Sequence, residues 1–181
     1  MLNVAVLCSK RAPAIDVLMQ RADVDVISVL SPVPPPLPLR REHDAQLATE
    51  FTRLHADLVI CLGYLYILTE PMLSAFRGRI LNLHDGEPRF PGLHATRDAI
   101  VAGARETRSI VHIVDETLDG GPLLFASKPY PVAPFVHEAV RAGETKIVRA
   151  YAYAHREWMI RDAWPKLLDR AIESFALEAA S

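Results

Sequence analysis

Leu2-Asn3-Val4-Ala5-Val6-Leu7-Cys8 and Val24-Asp25-Val26-Ile27-Ser28-Val29-Leu30 are the two runs that decide the fold class. The first is almost wholly apolar, as a strand buried on both faces must be; the second is rich in β-branched residues. Between them, residues 12–21 carry Ile15, Leu18 and Met19 at helical spacing, with Pro13 suited to a first turn. Strand, helix, strand predicts a right-handed βαβ unit. The alternation continues through strands at 57–62, 79–84 and 109–114, with another beginning at 123–126. Helices are expected at 42–54 (Leu47, Phe51 and Leu54 on one side), 69–76 (Thr69 as N-cap, Pro71 in the first turn), 96–104, 136–141 and 145–177. The stretch 136–177 is expected in two or three pieces, broken near Gly143 and Pro165. Residues 31–39 hold Pro32, Pro34, Pro35, Pro36 and Pro38 and read as a stiff surface connection. The pattern predicts an α/β fold, a three-layer αβα sandwich over a mostly parallel, Rossmann-like sheet, with residues 1–181 in a single domain.

Composition narrows the class. The 181 residues are 50% hydrophobic and 23% charged, enough for one sizeable core. A net charge of −2 offers no support for a nucleic-acid partner. Cys8 and Cys61 form no C-x-x-C pair and read as small buried core residues, and no His/Cys cluster has zinc spacing, so no metal is expected. No apolar run reaches the length of a membrane span, and the N-terminus lacks a basic segment ahead of a cleavable apolar one; a cytoplasmic protein without a membrane partner is expected. No G-x-G-x-x-G follows the first strand, which disfavours a dinucleotide-binding domain.

Chemistry concentrates in Ile80-Leu81-Asn82-Leu83-His84-Asp85-Gly86-Glu87-Pro88-Arg89-Phe90-Pro91-Gly92. Asn82 and His84 stand two apart, so on a strand they share a face. An imidazole that exchanges protons near neutrality beside an uncharged N–H₂ donor suits stabilisation of a developing oxyanion. Asp119, in Leu118-Asp119-Gly120-Gly121-Pro122, offers a carboxylate to orient His84 if the fold brings the two together.

These elements, with Pro91-Gly92-Leu93-His94 and Val111-His112-Ile113-Val114 between them, resemble the signature of the folate-dependent formyltransferases, the family that contains glycinamide ribonucleotide formyltransferase. The resemblance implies Asn82, His84 and Asp119 as the catalytic trio, 10-formyltetrahydrofolate as cosubstrate, and a small-molecule amine as its acceptor. Gly63 to Leu68 resembles the segment lining the family's pterin pocket. Leu65, Tyr66, Ile67 and Leu68 are thereby implied on one side of the folate, and Val114, Asp115, Glu116 and Leu118 on the other. Arg40, Asp85, Gly86 and Glu157 are implied near the acceptor.

Two departures bear on that acceptor. Cys8-Ser9-Lys10-Arg11-Ala12-Pro13-Ala14 contains no glycine where ribonucleotide enzymes of the family cradle a phosphate, and Pro13 has no N–H to donate. Lys10 and Arg11 either attract an anion there or form a solvated basic pair. Asp85 replaces the proline that usually follows the catalytic His, which looks more like the sugar N-formyltransferases; its carboxylate either holds a cationic amine or caps the turn. The expected acceptor is therefore an amine other than glycinamide ribonucleotide. A 10-formyltetrahydrofolate hydrolase and a non-catalytic folate-binding protein are the alternatives. The helix bearing Trp158, Met159 and Trp164 packs on its own sheet or forms a homodimer face.

Overall fold

Alternation within single strands builds two cores at once. In β1 (Leu2–Cys8), Val4 and Val6 enter one core while Ala5 and Leu7 enter another. β3 (Leu58–Leu62) repeats this, with Leu58, Ile60 and Leu62 on the first side and Val59 and Cys61 on the second. With β2 (Val24–Leu30), β4 (Ile80–His84), β6 (Ile110–Ile113) and β7 (Leu123–Ala126) they form a six-stranded sheet, ordered β2-β1-β3-β4-β6-β7. The first four are parallel, whereas β6 runs antiparallel to β4 and β7 antiparallel to β6. The computed structural model describes residues 1–9 and 12–179; Lys10 and Arg11, and with them the question of an anion at that pair, lie outside the described residues.

Helices cover both faces. α1 (Ile15–Met19) contributes Leu18 to the first core, and α6 (Thr145–Ala179) contributes Met159, Trp164, Leu168 and Ile172. α2 (Leu37–Arg53) and α3 (Glu70–Ala75) close the second through Ala48, Phe51 and Met72. A third, smaller core joins α4 (Ala95–Val101), α5 (Pro134–Arg141) and α6 through Ile100, Val136, Ala139 and Val148. The three-layer α/β architecture is as the strand pattern implies.

Four local expectations change. α1 is shorter than 12–21 because Ala14 sits at φ 66, a left-handed conformation that interrupts the helical run. α2 starts inside the proline-rich stretch, with Pro36 as N-cap and Pro38 in the first turn, where a missing N–H loses no intrahelical bond. α6 runs through Pro165 without a break. An interior proline costs about 3 kcal/mol, and burial of Trp164, Leu167 and Leu168 around it outweighs that cost. Finally, β5 (Glu106–Thr107) and β8 (Tyr130–Pro131) pair antiparallel in a separate ribbon too short for any periodicity to announce. Of the apolar residues on α6, Met159 and Trp164 pack on the sheet, and Trp158 stays half exposed with its ring edge-on to Tyr130.

Candidate active site

β3 and β4 are neighbouring parallel strands, and their C-terminal ends open onto one cavity of about 220 Å³, the usual ligand position in open α/β sheets. Asn82 and His84 project from β4 on the face that also carries Ile80, as their spacing requires. Asp119 arrives from the loop between β6 and β7. That loop presses close to β6: a Cβ on Gly121 would lie 2.0 Å from the Ile113 carbonyl oxygen, so only glycine fits.

The three side chains meet. Asn82 Nδ2 donates to Asp119 Oδ1 at 3.2 Å, and the Gly92 amide donates to Asp119 Oδ2 at 2.7 Å. His84 Nδ1 stands 3.8 Å from Asp119 Oδ2. His84 Nε2 lies 3.3 Å from the Phe90 carbonyl oxygen, which can only accept, so Nε2 carries a hydrogen. The imidazolium form then points its Nδ1–H toward Asp119.

His112, on β6 directly across from Asn82, orders the group further. Its Nδ1–H donates to the Ile113 carbonyl oxygen at 3.0 Å, leaving Nε2 to accept from Asn82 Nδ2 at 3.1 Å. Burial holds the His112 pKa below the usual imidazole value; Asp119 and Asp115 oppose this without prevailing. Both Asn82 N–H groups are therefore committed, and the orientation of the amide is set.

Two segments supply most of the remaining walls. Leu65, Tyr66, Ile67 and Leu68 line one side, and Val114, Asp115, Glu116 and Leu118 line another, together with Tyr64, Thr117 and Leu93. Tyr64 and Tyr66 meet edge to face at 5.4 Å. Cys61 also reaches this wall, with burial pushing its thiol up to about 12, so it stays protonated and inert.

The four residues expected near the acceptor divide. Asp85 lines the cavity, but its Oδ2 accepts from Thr96 Oγ1 at 2.9 Å and from Arg156 Nε at 2.9 Å. Gly86 packs behind the cavity, where a Cβ would lie 2.4 Å from that of Ala95. Arg40 lies outside the cavity lining, buried under the Tyr66 segment. Its guanidinium donates to the Pro35 and Ile67 carbonyl oxygens and stacks 5.3 Å from the Tyr66 ring centre. Glu157 also falls outside the lining, and its neighbour Arg156 lines the cavity instead. Among the described residues no group of three or more His, Cys, Asp or Glu is placed to hold a metal ion, and no helix is long and apolar enough to cross a membrane.

Residues 2–147 match the formyl transferase family. The chain belongs to that family. It is 37% identical over 90 residues to phosphoribosylglycinamide formyltransferase of Escherichia coli (strain K12), covering 49% of this chain and 42% of that protein. With phosphoribosylglycinamide formyltransferase of Mycobacterium tuberculosis (strain ATCC 25618 / H37Rv) it shares 35% over 119 residues, covering 62% and 55%. These matches span about half the length of the curated relatives. The crystal structure of phosphoribosylglycinamide formyltransferase from Streptococcus pneumoniae TIGR4 superposes with a TM-score of 0.72 at 23% identity, over 95% of this chain and 99% of that one. It supports the fold of this family member.

Proposed function

We propose that this formyl transferase family member moves the formyl group of 10-formyltetrahydrofolate onto a primary amine. The supporting observation is the meeting of Asn82, His84 and Asp119 in a cavity whose other walls are largely apolar. A flat pterin ring suits the space between the Leu65–Leu68 and Val114–Leu118 segments, whose backbone groups can pair with its edges.

The amine nitrogen attacks the formyl carbon and negative charge develops on the formyl oxygen. Protonated His84 donates to it, and Asn82 exchanges its bond to Asp119 for one to the same oxygen. Asp119 receives the proton the amine loses. The bond from carbon to N10 then breaks, N10 takes up that proton from Asp119, and N-formyl amine and tetrahydrofolate leave.

The relatives are named for phosphoribosylglycinamide, which makes it the first acceptor to test and runs against the expectation of a different amine. Asp85 no longer supports that expectation, because Thr96 and Arg156 occupy its carboxylate oxygen. The glycine-free stretch after β1 still favours a second reading, transfer to another small amine such as an amino sugar.

The test is tetrahydrofolate release from 10-formyltetrahydrofolate with phosphoribosylglycinamide and with a panel of amines. His84→Ala and Asn82→Ala should each lower kcat on the order of 10²-fold while a folate analogue still binds. No folate-analogue binding by calorimetry refutes the reading. Formate release without an amine, at a rate matching transfer, replaces it with hydrolysis.

A further inference from the structure

We propose that Arg156 reads the acceptor, and that the acceptor carries an anionic group, a carboxylate or a phosphate, close to its amine. This rests on the formyl-transfer reading. Arg156 reaches the cavity from α6, 71 positions from Asp85 in the chain, with 27% of its side chain exposed. It shares that cavity with His84, whose neighbour Asp85 it grips, so it belongs to the β4 end rather than the apolar walls.

The guanidinium is aimed rather than loosely paired. Its Nε–H goes to Asp85 Oδ2, and one Nη1 hydrogen goes to Glu157 Oε1 at 3.3 Å. Asp85 is itself only 5% exposed and is fixed by the Thr96 hydroxyl. The turn beneath it is closely packed, a Cβ on Gly86 lying 2.4 Å from that of Ala95. Among the described residues, Nη2 and the second Nη1 hydrogen have no hydrogen-bond partner. Neutralising Asp85 uses only Nε. What remains is the planar edge of N–H donors that binds carboxylate or phosphate oxygens side by side. Lysine, a point charge with rotating donors, cannot reproduce that edge.

The experiment compares acceptors matched but for an anion beside the amine: glucosamine 1-phosphate with glucosamine, and glycine with glycinamide. The anionic member of the pair that is formylated should have at least tenfold higher kcat/KM. Arg156→Gln should raise its KM at least tenfold and leave the KM of the folate donor unchanged; Arg156→Lys should recover only part. Because Arg156→Gln leaves Asp85 without its counter-charge, the double variant Asp85→Asn/Arg156→Gln guards against misfolding and should behave alike. A second readout needs no turnover: inorganic phosphate at millimolar concentration should bind the complex with a folate analogue, and Arg156→Gln should abolish it. Phosphate that fails to bind, phosphate binding undiminished in Arg156→Gln, or an anion preference surviving both variants overturns the assignment. Absence of transfer to every amine together with absence of folate-analogue binding refutes the formyl-transfer reading instead.

Discussion

Asn82 and His112 are cross-strand partners on antiparallel strands, and their side chains join Nδ2 to Nε2 at 3.1 Å. The neutral ring, tied by its other nitrogen to Ile113, dictates which end of the amide is nitrogen. His112→Ala removes that instruction without touching the proposed reacting atoms. The expected result is a kcat lower by about tenfold or more with an unchanged KM for the folate donor. A variant with full kcat removes His112 from the machinery.

Stability should depend on pH through two buried imidazoles. His112 and His155 both have pKa values held below the ordinary 6.5, burial being the largest cause for each. A depressed folded-state pKa means the unfolded chain binds protons first as pH falls. The resulting stability is fully present above about pH 6.5 and declines as pH drops below it. Chemical denaturation at pH 8, 6.5 and 5 checks this, and His155→Gln should flatten the decline.

Helix α2 clamps the segment that follows β3. Asp44 is fully buried and accepts from the Thr69 amide at 2.6 Å and its hydroxyl at 2.7 Å, while Arg40, one turn earlier, holds the Ile67 carbonyl oxygen. Asp44→Ala orphans the partly buried Thr69 amide and hydroxyl and should cost about 1–3 kcal/mol. The same loosening should raise the KM of the folate donor more than it lowers kcat, which steady-state kinetics separates from a purely structural effect.

Gly86→Ala forces a methyl to within 2.4 Å of the Ala95 Cβ and 3.3 Å of His84 Nε2. Overpacking of this kind costs about 1–3 kcal/mol. Thermal unfolding should register the loss, and kcat should fall through displacement of His84. Gly92→Ala meets nothing within 4 Å but stands at φ 84, so its penalty is backbone strain alone.

What the sequence made legible follows the reach of each physical rule. Alternation along β4 placed Asn82 and His84 on one face because a two-residue period needs no knowledge of neighbours. The pairing of Asn82 with His112 depends on strand register, and its only local trace is a histidine inside the apolar run Val111-His112-Ile113-Val114. Arg156 left no trace, since its partner Asp85 lies on a different element; the nearby Glu157 was expected in its place. Arg40 was expected beside the acceptor and instead lies outside the cavity lining, against the Tyr66 ring and the Ile67 carbonyl oxygen. The start of α2 was hidden because prolines suit a connection and a first helical turn equally well. Pro165 misled for the opposite reason: its cost is local, and the packing that overrides it is not.

The cavity draws its two ends from different parts of the chain. The segments after β3 and β6 supply the proposed folate walls, while the turn after β4 and one face of α6 supply Asp85 and Arg156. Inhibitor design inherits that division. A compound confined to the proposed folate walls engages one end alone, whereas one that also carries a carboxylate to Arg156 spans both.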